Sequence, residues 1–478
     1  MDLGWNFDNS YARLPTVLFD PSAPADFPAP KLVIANDALA RELGLDISKA
    51  SAEELAAIFS GQAIPSGATP IAQAYAGHQY GHFTMLGDGR ALVLGEQVTP
   101  AGARVDIQFK GSGETRYSRR GDGRAALGPM LREYLVSEAM HALGIPSTRS
   151  LAVVATGETI SRPGPKRGAV LTRVAASHIR VGTFQFAAGL DDVAALRALA
   201  DHAILRHDAV LAGSPDKYGA FLDAVIARQA ALVARWQCVG FVHGVLNTDN
   251  TAVSGETIDY GPCAFMDAYN PDTVFSSIDH HGRYRYAHQP AIIQWNLARF
   301  AEAMVPLLAD DETVAVARAN EALERFAPVY RVAWLAGMRA KIGLEREEPE
   351  DLALVHDLLS AMQEKRADFT NTFRALSSGA RPEGLEAWMA RWHARVDRDG
   401  RSREAAFGAM RAVNPAVIPR NHRVEEALVA AEERDDLAPF RELLAVVSQP
   451  FELAAAREAY AEPAPKEFSE FYCTFCGT

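Results

Sequence analysis

The chain has 478 residues, 48% of them hydrophobic and 23% charged, and a formal net charge of −12. That composition is ordinary for a soluble globular chain and excludes wholesale disorder. The acidic balance speaks against a nucleic-acid coat or a binder of anionic membranes.

Residues 1–65 mix proline-rich turns with two short helical stretches, near 34–43 and 51–59, and read as an extension packed on the core. Residues 66–185 change character. Glycine is dense, and β-type runs such as 91–94, 105–109, 151–154 and 169–173 alternate with turns, which reads as a β-rich lobe. One helix is embedded in it, opened by Pro129 and ended near Gly144. Residues 186–330 form a helical lobe interrupted by a loop–hairpin region, 238–290, and residues 331–478 a helical extension ending in Cys473 and Cys476. No apolar run approaches the roughly 18–20 residues of a membrane span. The first residues lack a cationic stretch leading into an apolar core, so no secretory leader is expected. Four cysteines cannot form a disulfide framework, and the expected compartment is the cytoplasm.

The stretch 240–262 concentrates ionisable groups between apolar ones. Ser254-Gly255 is a tight-turn signal. A two-residue hairpin there would set Asn250 opposite Asp259, converging an amide oxygen and a carboxylate. Few, hard oxygen ligands suit Mg²⁺ held together with nucleotide phosphates. Asp249, next to Asn250, would project differently and stay available as a base.

Strand 105–109 places Val105, Ile107 and Phe109 on one face and Asp106, Gln108 and Lys110 on the other. Taken alone, Lys110 reads as a solvated strand-edge lysine. It is nevertheless one of only eight lysines beside forty arginines, and arginine does not replace lysine where a compact point charge is required. The embedded helix offers Glu133 and Glu138 as its partner, and periodicity does not choose between them. Two GDGR turns, Gly87 to Arg90 and Gly121 to Arg124, can present amides and a guanidinium to anions. Arg173 and Arg180 read either as surface salt bridges or as a phosphate clamp. His78 and His82 read as local hydrogen-bonding groups, because Gly77 and Gly81 oppose a helix there.

Six stretches carry a resemblance: 75–96 (YAGHQYGHFTMLGDGRALVLGE), 110–124 (KGSGETRYSRRGDGR), 132–151, 173–184 (RVAASHIRVGTF), 240–262 and 289–303. On these the chain resembles the selenoprotein O family, including its bacterial YdiU-like members, over essentially its whole length. The resemblance implies an α+β, protein-kinase-like two-lobe fold and transfer of AMP from ATP to Ser, Thr or Tyr hydroxyls of proteins. The nucleotide is flipped relative to ordinary kinases. Mg²⁺ is the implied metal, with Mn²⁺ as the alternative.

By the same resemblance Lys110 pairs with Glu133, Asn250 and Asp259 hold the metal, and Asp249 is the base. Gly87, Gly89, Arg90, Asp122, Gly123, Arg173, Arg180 and Asp259 contact the nucleotide. The alternatives are a phosphotransferase or an inactive nucleotide-binding pseudokinase. A redox pair, Cys473 and Cys476, is implied at the tail, with Cys263 as a substitute partner where the loop reads Val274-Phe275-Ser276. The expected state is a cytoplasmic monomer acting on protein substrates, with no nucleic-acid or membrane partner.

Overall fold

A computed structural model describes residues 3–452 and 454–475. The N-terminal part is built on one mixed-length, mainly antiparallel sheet. Its strands are β1 (Phe19–Pro21), β2 (Lys31–Ala35), β3 (Ile71–Gln73), β6 (Ala91–Val98), β7 (Arg104–Lys110), β8 (Ala125–Ala126), β9 (Arg149–Arg162) and β10 (Gly164–Ala175). The order is β1-β3-β6-β7-β10-β9-β2, with β8 paired to β10. Residues 1–65 therefore supply both edge strands. A separate hairpin, β4 (Ala76–Gln79) and β5 (His82–Met85), turns at Tyr80 and Gly81, both at positive φ. The GHQYGH stretch is extended, as its glycines require.

The alternation in β7 sorts the two faces of the sheet. Ile107 and Phe109 join Leu94, Val154 and Val170 beneath the helices α1 (Asp37–Glu42) and α2 (Ala52–Phe59). On the opposite face Leu171 and Val153 pack under α3 (Leu127–Ala142). Lys110 and Arg173 leave the sheet on this second face, on neighbouring strands. Pro129 sits in the first turn of α3, where its missing N–H costs nothing. Gly128 N–H donates to Glu432 Oε1 (2.9 Å), so a side chain from the far end of the chain caps the helix.

The helical part begins with α4 (Val181–Ala188), α5 (Val193–His207), α6 (Lys217–Val239), α7 (Gln289–Leu308) and α8 (Glu312–Glu324), around a core that includes Phe184, Phe221 and Phe300. A short ladder of β11 (Phe241–Val242) and β12 (Ala264–Phe265) lies between α6 and α7. The extension comprises α9 (Phe326–Lys341), α10 (Asp351–Lys365), α11 (Phe369–Leu376), α12 (Glu386–Arg398) and α13 (Arg403–Val413) around Trp388 and Trp392. Its last long helices, α14 (Asn421–Arg434) and α15 (Ala438–Val447), return to pack on α3. The fold is thus α+β, β-rich first and helical after. Among the described residues no helix is long and apolar enough to cross a membrane.

Candidate active site

A cavity of about 590 Å³ opens between the sheet and the helical part, a size suited to a cofactor-sized ligand. Its floor is a buried charge cluster. Lys110 Nζ donates to Glu133 Oε2 (2.7 Å) and to Asp259 Oδ1 (2.5 Å). Arg173 Nη1 reaches Glu133 Oε1 (3.0 Å) and Asp259 Oδ1 (2.7 Å), while its Nε donates to Gln108 Oε1 (3.1 Å), its opposite number across the ladder. Lys110 is 5% and Arg173 1% exposed. The solvated-lysine and surface-salt-bridge readings are therefore wrong, because the parity that turns these side chains off the apolar face turns them into the buried seam between the sheet and the helical part. Glu138, the other helix candidate, is spent elsewhere: its Oε2 accepts from Arg149 (2.7 Å) and Asn36 (2.8 Å).

Arg180 lines the same cavity. Its guanidinium stacks over the Tyr75 ring (4.5 Å), donates from Nη1 to the Asp249 carbonyl (3.0 Å), and stands 3.8 Å from both Asp88 Oδ1 and Asp259 Oδ2. Its Nε finds no partner among the described residues. Asp259 has φ 65°, a strained conformation for a non-glycine residue. Burial acts to raise its pKa, but Lys110, Arg173 and Arg180 outweigh that and hold the carboxyl well below the usual range.

Asp249 sits on a single 3₁₀ turn, Thr248–Asn250. The turn is pinned to β4: His78 N–H donates to Thr248 Oγ1 (2.7 Å) and Tyr80 N–H to Asn247 Oδ1 (3.1 Å). Gly77 is required by this closeness, since a Cβ there would fall 2.3 Å from Asp249 Oδ1. Burial pushes the Asp249 carboxyl up to about 6, against the opposing pull of Arg180. Its Oδ1 is buried with no hydrogen-bond partner among the described residues, an expensive condition that a ligand hydroxyl would relieve.

The expected hairpin over 251–258 does not form. Gly255 N–H closes the turn onto Ala252 O (3.1 Å), but the arms part. Val253 N–H donates to Ile179 O (3.0 Å) and Thr257 N–H to Pro146 O (2.9 Å), so each arm is claimed by a different segment. The turn is shifted by one residue, centred on Val253-Ser254 rather than on Ser254-Gly255, and nonlocal partners took the ladder bonds. Asn250 and Asp259 still line the same cavity. Asn250 Nδ2 donates to Val245 O (2.9 Å), which leaves its Oδ1 as the end available to a ligand. Among the described residues no group of three or more His, Cys, Asp or Glu could hold a metal unaided.

The two GDGR turns diverge despite identical text. Asp88 is buried, accepts the Gln73 N–H (3.1 Å), and burial lifts its carboxyl to about 6. Asp122 is exposed and paired with Arg162 (2.7 and 2.9 Å) at the cavity rim. Gly87, Gly89 and Gly123 line the cavity too, and a Cβ on Gly123 would strike the Gly113 carbonyl at 2.1–2.2 Å. Arg90 is half-buried at the edge with no ion pair among the described residues. Tyr75, Tyr117 and Arg162 were not singled out from sequence, and Asp88 was noted only as part of its GDGR turn.

The tail docks beside this site. Thr474 pairs with Ser276, its N–H donating to Phe275 O (2.8 Å) and its Oγ1 to Pro262 O (2.6 Å). Tyr472 bonds Arg132 and Glu425 (both 2.9 Å). Cys473 is exposed, whereas Cys263 is fully buried, donates to Tyr260 O, and has its thiol pushed up to about 12 by burial. Cys476 lies outside the described residues.

A cation-floored cavity with an under-bonded carboxylate on its wall is the equipment of an enzyme that handles phosphate esters. Comparison with known proteins makes this specific. Residues 2–448 match the family model described as protein adenylyltransferase SelO. A protein nucleotidyltransferase YdiU of Geobacillus kaustophilus is 57% identical, covering 100% of both chains. Those of Halalkalibacterium halodurans (56%) and Nitrosococcus oceani (54%) each cover 100% of this chain and 98% of their own. The chain belongs to the SelO family, and with it to the nucleotidyltransferases.

Proposed function

We propose that the chain transfers AMP from ATP to Ser, Thr or Tyr hydroxyls of protein substrates, in a kinase-like arrangement of strand lysine, helix glutamate and an Asp259-Tyr260-Gly261 turn. The observation that carries this reading is Asp249, a nearly buried carboxylate with one unpartnered oxygen beside a floor of Lys110, Arg173 and Arg180. The family's name supports nucleotidyl rather than phosphoryl transfer. A nucleotide-binding pseudoenzyme would have no use for a buried carboxylate that keeps one oxygen free toward the cavity.

In this mechanism the acceptor hydroxyl hydrogen-bonds Asp249 and gives it the proton. The acceptor oxygen bonds to Pα in line, the bond from Pα to the bridging oxygen breaks, and pyrophosphate leaves. Lys110, Arg173, Arg180 and Arg90 offset the phosphate charge, and the buried floor of the cleft strengthens each such interaction. Asn250 and Asp259 are hard oxygen donors and fit Mg²⁺, with Mn²⁺ as the alternative. When bound, the metal would supply further neutralisation of the phosphates. Asp122 and Gly123, with Gly87 and Gly89, would border the nucleotide.

The test is incubation with an acceptor protein and α-labelled or, separately, γ-labelled ATP. Acceptor labelling from the α position alone is expected. Labelling from γ alone would mean a phosphotransferase, and ATP binding without labelling a pseudoenzyme.

A further inference from the structure

The hairpin β4–β5 carries an edge that the proposed chemistry does not use. Leu86 N–H donates to Tyr75 O (3.0 Å), so the ladder-bonded pairs are Tyr75–Leu86, Gly77–Thr84 and Gln79–His82. The N–H groups of His78 and Tyr80 accordingly point away from β5, into the Asn247–Thr248 turn. By the same alternation the N–H and C=O of Phe83 and Met85 point outward from the opposite edge. Among the described residues no strand pairs with β5 there.

Phe83 and Met85 also expose their side chains, at 52% and 48%. Two apart on a strand, they share a face. The Phe83 ring meets the His78 ring (5.2 Å), which meets Trp295 edge-on (5.1 Å). Arg283 and Arg299 lie over Trp295 at 4.8 and 5.0 Å. Arg299 is paired with Glu302, but Arg283 has no carboxylate partner among the described residues and borders the hairpin tip at Gly81. An unpaired strand edge and an apolar face thus lie on one element, with a cation that has no carboxylate partner among the described residues beside its tip. That element is bolted through Gly77, His78 and Tyr80 to the turn carrying Asp249.

Resting on the AMP-transfer reading, we propose that β5 is the docking edge for the protein acceptor, which adds to it as an extended strand. The acceptor's apolar side chains would cover Phe83 and Met85, and an acidic side chain would meet Arg283. Edge pairing gives affinity through the backbone, and alternate side chains give specificity. Two strand spacings of about 4.8 Å put the added strand about 10 Å from Gly77. A Ser or Thr within the docked stretch therefore falls short of Asp249, and the residues flanking that stretch deliver the hydroxyl.

The test uses the full chain, α-labelled ATP and a synthetic pool of peptides, each with one Ser, Thr or Tyr in a randomised sequence. Met85→Lys places a charge on the open edge; Phe83→Ser/Met85→Lys also removes the apolar face. Both should raise KM for the pool by about tenfold or more, with the ATP dissociation constant within about twofold of wild type. Labelled peptides should be enriched in apolar and acidic residues next to, not at, the modified position. Unchanged KM in both variants would overturn the docking, as would a matching loss of ATP affinity, which would make the hairpin part of the nucleotide site. A wild-type enzyme that labels no peptide and no intact protein would instead refute the AMP-transfer reading, and the docking with it.

Discussion

Two buried arginine–carboxylate clusters invite comparison. In the helical extension Arg395 donates from Nε to Asp351 Oδ1, from Nη1 to Asp399 Oδ1 and from Nη2 to Arg346 O, each at 2.7 Å. Every guanidinium nitrogen is used, and the cluster borders none of the cavity described above. In the cleft, Lys110, Arg173 and Arg180 face Glu133, Asp259 and Asp88, yet Arg180 Nε and Asp249 Oδ1 are left over, and both residues line an open cavity. Buried charge by itself marks only a desolvation cost offset by pairing. Hydrogen-bonding capacity left over beside a cavity is what separates a site from a brace.

The largest expected effect tests that separation at the base. Asp249→Asn should lower the transfer rate by about 10²–10⁴-fold, leave ATP affinity nearly unchanged, and not lower Tm. A large Tm loss with little rate loss would make Asp249 a brace like Arg395. Arg395→Met should do the reverse. Removing one partner strands two buried carboxylates at a cost of about 3–5 kcal/mol, visible in denaturant unfolding, with the folded fraction binding ATP normally.

Arg180→Gln comes next. Losing charge-assisted bonds worth about 1.5–3 kcal/mol should weaken ATP binding by one to two decades in calorimetry. The pH profile then sharpens the role of Asp249. With its carboxyl near 6, the rate should climb with unit slope up to about pH 6 and level off above. The folded value lies above that of an exposed aspartate, so the native state holds the proton more tightly than the unfolded chain. Asp249 therefore subtracts stability as pH rises through this window. The Tm advantage of Asp249→Asn should accordingly be greatest above pH 6, and no such trend should accompany Arg395→Met. Arg90→Ala, at the half-buried rim, should give the smallest loss, a few-fold in ATP affinity that shrinks as salt is raised.

What could be read in advance follows from how local each cause is. The period of two in 105–110 is a local signal, and it put Lys110 on the correct face. The resemblance singled out Glu133, which periodicity could not, because α3 is buried on almost every side and Glu138 is equally well placed in sequence. The 251–258 hairpin failed where a local turn met nonlocal competitors, the segments at Ile179 and Pro146. Asp88 and Asp122 share one motif and end in opposite environments, since only tertiary packing decides which GDGR turn is covered. The Arg395 cluster and the Glu432 cap on α3 were invisible, as both depend on helices meeting across long stretches of chain.

The most direct measurement is the intact mass of an acceptor peptide after incubation with ATP and either wild-type enzyme or Asp249→Asn. An adenylate-sized increment with wild type, absent with the variant, is the predicted result. A phosphate-sized increment, or an adenylate increment that survives in Asp249→Asn, would contradict the assignment of this cleft and its base.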